Sequence, residues 1–149
     1  MINRGYSSCS AMYAAYNRLG EMDNDNGATI LYVGDHDPSG LDMLRDVEER
    51  LDEFGAEKFK VVPVALTMKQ IEKYNPPPNP AKITDSRARW YISQHGQNSW
   101  ELDALEPKAL EGIMKTAVLK YLDLDKFNGM VDKEHEDKEQ LEEMIKELK

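Results

Sequence analysis

Apolar positions follow two rhythms along this chain, short unbroken runs and stripes at helical spacing, and their alternation predicts the order of elements. Residues 28–34, Ala-Thr-Ile-Leu-Tyr-Val-Gly, form a continuous β-branched and apolar run. Such a run marks a strand buried on both faces, central in a parallel sheet. Leu41, Leu44, Val47, Leu51 and Phe54 then recur at helical spacing up to Gly55, which predicts a helix. Residues 59–66, Phe-Lys-Val-Val-Pro-Val-Ala-Leu, repeat the strand signal, and Pro63 moves that strand toward an edge because proline cannot donate to a ladder. Upstream, a serine-rich start and a glycine end predict a first helix over residues 7–20, followed by an acidic, asparagine-rich turn at 21–27.

The second half continues the pattern. Thr67 can cap a short helix over 68–73, and Pro76, Pro77, Pro78 and Pro80 impose an extended segment. Thr84 or Asp85 can cap a helix reaching about His95. Residues 99–105 alternate Trp100 and Leu102 with Glu101 and Asp103, predicting a short half-exposed strand, and Pro107 opens a helix through about Leu122. The strand–helix–strand–helix order with short joins predicts an α/β fold, a short parallel sheet with right-handed crossovers and flanking helices.

Beyond residue 122 the character changes. Leu141, Met144, Ile145 and Leu148 draw a narrow apolar stripe on an otherwise charged helix, which suits either a solvated terminal helix packed by one stripe or a partner-binding helix. This acidic tail carries a net charge of −5 of the chain's −9. The expected organisation is therefore an α/β domain over 1–122 and a charged helical tail over 123–149. A chain of 149 residues suits one domain with a real core.

Charge and cysteine content narrow the function classes. With 19 Lys and Arg against 28 Asp and Glu, bulk electrostatics cannot grip a nucleic acid, so any such contact must be local or metal-bridged. Cys9 is the only cysteine, which excludes an intramolecular disulfide and a thiolate zinc cluster and fits a reducing cytoplasm. In its serine-rich setting Cys9 is expected to be a buried or inert thiol. No apolar run reaches the roughly 18 residues that span a bilayer, and no basic-then-apolar leader opens the chain, so a cytoplasmic protein without a membrane partner is expected.

Candidate chemistry concentrates at Gly34-Asp35-His36-Asp37-Pro38-Ser39-Gly40. Two carboxylates just beyond the carboxyl end of a parallel strand sit where α/β sheets bind ligands. Asp35 and Asp37, two residues apart on a tight turn, can converge on a hard cation such as Mg²⁺, or Mn²⁺ in its place. The plainer alternative is that both aspartates cap the turn and the helix after it. Between them, His36 is either a shuttle or ligand, or merely exposed in an acidic turn.

The same residues carry a resemblance. The Asp-x-Asp-Pro-x-Gly form of Asp35, Asp37, Pro38 and Gly40 resembles the Toprim motif, and most closely that of the A subunit of type IIB topoisomerases (topoisomerase VI) and the related meiotic double-strand-break protein. The run Arg-Gly-Tyr-Ser-Ser at 4–8, Ala-Leu-Thr at 65–67, Pro-Pro-Asn-Pro-Ala-Lys-Ile-Thr-Asp-Ser-Arg at 77–87 and Trp-Glu-Leu-Asp-Ala-Leu at 100–105 are similar to uncharacterised Toprim-like proteins of prokaryotes and phages. The resemblance covers roughly residues 4–122. It implies a Rossmann-like fold and Mg²⁺-dependent phosphoryl transfer on nucleic acid, DNA foremost, of the nuclease or topoisomerase kind, with Asp35 and Asp37 as the metal pair. Toprim domains also use a glutamate on an earlier strand as general acid or base. No residue here matches it, because Glu21, Asp23 and Asp25 fall in the turn. The catalytic residue is therefore unassigned. Two expectations follow: a fragment of a larger protein lacking its first strand, or a non-catalytic Toprim-like binding module within an assembly. The start Asp35-His36-Asp37-Pro38-Ser39 also fits that of haloacid-dehalogenase phosphotransferases, in which the first aspartate is a nucleophile.

Two further groups complete the candidates. Glu101 and Asp103 can supply additional acids if their strand neighbours that of Asp35. Lys82, Arg87 and Arg89, beside Trp90 and Tyr91, can contact a phosphate backbone with an aromatic surface for stacking. The alternative is that Trp90 is core and the bases pair with nearby acids.

Overall fold

A computed structural model of the chain describes residues 5–21, 27–81 and 87–147. Strand β1, Ala28–Val33, pairs in parallel with β2, Phe59–Ala65, in a register that sets Ala28 opposite Phe59 and Tyr32 opposite Pro63, with one irregularity before Val33 meets Ala65. The crossover between them is helix α2, Pro38–Glu53, which packs on β2. Helix α1, Cys9–Gly20, lies against α2. Met12 and Leu51 are fully buried, and Phe54 takes the rings of Tyr13 and Tyr16 at 5.6 and 6.1 Å. Arg50 also reaches from α2 to donate to the Ser7 carbonyl at 2.6 Å. The chain is thus mixed α/β, with a short parallel two-stranded sheet flanked by helices.

Local chemistry sets the helix ends. Ser8 accepts from the Ala11 amide at 3.1 Å to start α1, and Thr67 with Gln70 forms a reciprocal capping box on α3, Met68–Tyr74. Asn75 ends α3 with a left-handed φ of 47°, a conformation asparagine tolerates better than most residues. A proline-rich segment then leads to β3, Asn79–Pro80, which pairs antiparallel with β4, Asn98–Ser99, across helix α4, Ala88–His95. Helix α5, Pro107–Tyr121, and helix α6, Leu124–Glu147, complete the chain. Leu66, Ile71, Trp100 and Leu105 form a buried cluster, with Met68, Leu102 and Ile113 packed at its margin.

Several expectations change. Among the described residues β1 pairs with β2 alone, and its side chains are half-buried rather than enclosed on both faces. An unbroken apolar run reports burial only where a second strand completes the sheet. The strand expected over 99–105 ends at Ser99. Trp100 makes a single bridge to His36, and Leu102–Ala104 is a 3-10 turn. Its apolar–acid alternation mimics a strand, but the Ala104 and Leu105 amides bond back to Glu101 and Leu102 at 3.2 Å. Helix α2 begins at Pro38 with Asp37 as its N-cap, in agreement with the plainer reading of that aspartate. Cys9, expected to be a buried or inert thiol, is exposed in the first turn of α1, which removes the first alternative. The helix expected from residue 84 or 85 is seen from Ala88, and residues 82–86, Lys82 among them, lie outside the described residues.

The chain divides into two compact units, Met1–Met114 and Lys115–Lys149. The first carries the sheet and its flanking helices, and the second carries the end of α5 and all of α6. No helix among the described residues is long and apolar enough to cross a membrane.

Candidate functional site

Gly34 and Gly40 let the backbone crowd around the two aspartates. A Cβ on Gly40 would lie 2.2 Å from the Asp35 carbonyl oxygen, and one on Gly34 would lie 2.7 Å from the Tyr32 hydroxyl. The Gly40 contact is with backbone, so the first turn of α2 is tied to the carboxyl end of β1 by an approach only glycine permits, whereas at Gly34 the Tyr32 ring would have to shift. The Tyr32 hydroxyl strengthens the tie by donating to the Gly40 carbonyl at 2.9 Å. Burial, with the charges of Asp35 and Asp37 behind it, holds the Tyr32 phenol above its ordinary range.

The two aspartates take different roles. Asp37 accepts from the Gly40 amide at 2.6 Å, and the Ser39 hydroxyl lies 2.9 and 3.1 Å from its two oxygens. Its carboxylate thus serves the start of α2, as an N-cap does. Asp35 is exposed and points elsewhere: its Oδ1 accepts from the Leu102 amide at 2.8 Å. This bond reaches across 67 residues. It depends on the bridge in which the His36 amide donates to the Trp100 carbonyl at 2.8 Å and the Trp100 amide returns a bond to His36 at 3.0 Å. Glu101 and Asp103 are thereby brought beside Asp35. The three acids, with Leu102 and Leu110, line a cavity of about 310 Å³.

His36 is buried, which sets aside the alternative that it is merely exposed in an acidic turn. Its Nδ1 lies 2.8 Å from the hydroxyl of Tyr91, which is fully enclosed and donates to the His36 and Asn98 carbonyls at 2.8 and 3.1 Å. The Tyr91 hydroxyl thus ties the imidazole to two backbone carbonyls. Burial, and the His95 ring at 4.8 Å between centroids, hold the His36 pKa below its ordinary value. Burial, with the charge of Asp37, raises that of Tyr91. This Tyr91–His36–Trp100 arrangement fixes the Asp35 turn, and nothing local in the sequence announces it, because its partners are 55 residues apart.

The basic group is placed differently. Arg87 lies 3.1 Å from Asp42 on α2 and donates to the Tyr6 hydroxyl, which in turn donates to Asp42. Arg89 and Trp90 are exposed, so Trp90 is not core. Neither arginine lines the acidic cavity. Among the described residues no three His, Cys, Asp or Glu side chains are grouped tightly enough to cage a metal ion. Comparison with protein-family models, curated proteins and solved structures found no match to this chain.

Proposed function

We propose that this chain is a Toprim-like domain that holds Mg²⁺, or Mn²⁺, at the acidic cavity and acts in phosphoryl transfer on nucleic acid, DNA foremost. The observation that carries the reading is the convergence of Asp35, at the carboxyl end of a parallel strand, with Glu101 and Asp103 on one open cavity. An all-oxygen donor set of this kind suits Mg²⁺, which keeps most of its waters and needs only one or two carboxylates, so a tight cage is not required. A bound ion would polarise a phosphoryl oxygen and activate an oxygen nucleophile. On the protein side, Asp35 offers the oxygen left free by Leu102, and Glu101 and Asp103 add negative charge across the cavity. Asp37 contributes charge from one turn away, and its cap keeps Asp35 in place. Arg89, with Lys82 and with Arg87 where it can leave Asp42, supplies local phosphate contacts that the acidic surface as a whole does not.

Calorimetric titration of the chain with Mn²⁺ and Mg²⁺ tests this reading. Saturable binding is expected, lost in Asp35→Asn and weakened in Glu101→Gln/Asp103→Asn. Asp37→Asn keeps a cap of similar strength while removing the charge, so it should weaken the ion without lowering the melting temperature. Metal-dependent nicking of supercoiled DNA by the wild-type chain, lost in Asp35→Asn, completes the test. Equal heats from the wild type and the variants up to several millimolar would remove the metal from the proposal. A second reading, a non-catalytic binding module, is favoured by the commitment of Asp37 to its cap and of Arg87 to Asp42. It predicts salt-sensitive DNA binding without nicking.

A further inference from the structure

Helix α6 belongs to the second unit, and its sequence follows a regular pattern. Leu124, Phe127, Val131, Glu134, Lys138, Leu141 and Ile145 alternate at spacings of three and four, the heptad rhythm that keeps one seam on one side of a helix. In the structure they lie on a single helix of 24 residues. Leu124, Phe127, Leu141 and Ile145 are 47, 48, 57 and 55% exposed, and Met130 and Met144 on one border of the seam are 73 and 60% exposed. The helix spans just over three heptads, about the length at which a two-stranded coil becomes a realistic structure. Leaving such a stripe in water forgoes the hydrophobic gain of covering it.

The seam also states what would cover it. Its two central positions are charged, and Glu134 and Lys138 pair along the helix at 2.5 Å. In an antiparallel pair of identical helices, positions equidistant from the centre face each other. Centring the pair on residue 136 sets Phe127 against the partner's Ile145, Val131 against the partner's Leu141, and Glu134 against the partner's Lys138. On one border of the seam, where facing positions are offset by one residue, Met130 comes toward the partner's Met144. Every seam layer named is apolar with apolar or acid with base. On that same border Asp137 comes toward its own counterpart, with Lys138 next to it on each helix to offset the repulsion. A parallel pair would stack Glu134 on Glu134 and Lys138 on Lys138. Sliding the antiparallel pair by one heptad would set Glu134 against Ile145 and Lys138 against Leu141. Charge complementarity thus selects both orientation and register, and like charges facing each other are costly.

We propose that α6 is a self-association surface through which two copies of this chain pair as an antiparallel two-stranded coiled coil centred on residue 136. The acidic polar face opposes an anionic lipid surface as the occupant. Sedimentation of the full chain, carrying Cys9→Ser to exclude adventitious cross-links, should show a concentration-dependent dimer. Glu134→Lys alone sets Lys against Lys at both central layers and should weaken the dimer at least about tenfold, as should Lys138→Glu. The double variant Glu134→Lys/Lys138→Glu should restore it, which a loss of helix folding could not do. Orientation is read by mixing single-cysteine variants: Val131→Cys with Leu141→Cys should give the mixed disulfide in preference to either like pair. A chain that stays monomeric as its concentration approaches a millimolar, central charge variants that change nothing, or a preference for like-pair disulfides would each overturn the proposal.

Discussion

Helices α2 and α6 are both amphipathic, yet they meet opposite surroundings. The apolar face of α2 is matched within the chain. It packs on α1, β2 and α4, Leu51 is fully buried, and the helix start is fastened by Asp37 and Gly40. On α6, Leu124, Phe127, Met130, Leu141, Met144 and Ile145 are exposed, and charged residues interrupt the seam. Amphipathicity therefore shows that a face is meant to be covered, without saying by what. For α2 the cover is a continuous apolar surface formed by other elements. For α6 the interrupting charges are the informative positions, because they complement the same helix reversed.

The largest effect should come from making one truncation in both helices. Leu51→Ala removes a fully buried side chain and should cost about 2–5 kcal/mol of folding stability. Leu141→Ala, at 57% exposure, should leave the unfolding of the α/β unit within about 0.5 kcal/mol of wild type. Urea denaturation followed by tryptophan fluorescence reads that unit, since both tryptophans, exposed Trp90 and buried Trp100, lie in it. Equal losses from the two substitutions would break the contrast.

Next in size is Tyr91→Phe. It keeps the ring and deletes the hydroxyl that joins His36 Nδ1 to the His36 and Asn98 carbonyls. Buried groups left without partners should cost about 1–3 kcal/mol. Because this hydroxyl sets the bridge that carries Glu101 and Asp103 to Asp35, the variant should also bind Mn²⁺ more weakly. A stability loss with unchanged metal binding would separate the Tyr91–His36 contact from the cavity.

What the sequence made legible follows from the range of the interactions. The Ala28 to Val33 run, the helical stripe from Leu41 to Phe54 and the caps at Ser8 and Thr67 are local signals, and the elements they predict are present. The 3-10 turn at Leu102–Ala104 was illegible because its alternation is that of a strand, while the bonds that turn the backbone include one from Leu102 to the distant Asp35. The proximity of Glu101 and Asp103 to Asp35 could be stated only as a condition on which elements are neighbours. The Tyr91–His36 contact and the pairing of Arg87 with Asp42 leave no mark on local spacing at all, since both join residues more than forty positions apart.

The smallest effect tests the polar side of α2. Asp42 accepts hydrogen bonds from Tyr6, Arg45 and Arg87, joining the exposed side of this helix to the start of α4. Burial pushes its carboxyl upward, but those hydrogen bonds outweigh burial and leave the pKa below the ordinary value of about 3.8. A carboxyl whose folded pKa is depressed binds fewer protons in the folded state than in the unfolded state. Its contribution is therefore complete above the ordinary value and disappears as pH falls through the folded one. Because the cluster is partly exposed, Asp42→Asn should cost only about 0.2–1 kcal/mol at neutral pH. That gap should narrow as urea denaturation is repeated at pH values falling below the ordinary carboxyl value of about 3.8. A gap that stayed constant would mean that Asp42 holds α2 to α4 through the shape of its hydrogen bonds rather than through charge. The polar side of α2 would then differ in kind from the charged seam of α6, where exchanging signs is expected to decide association.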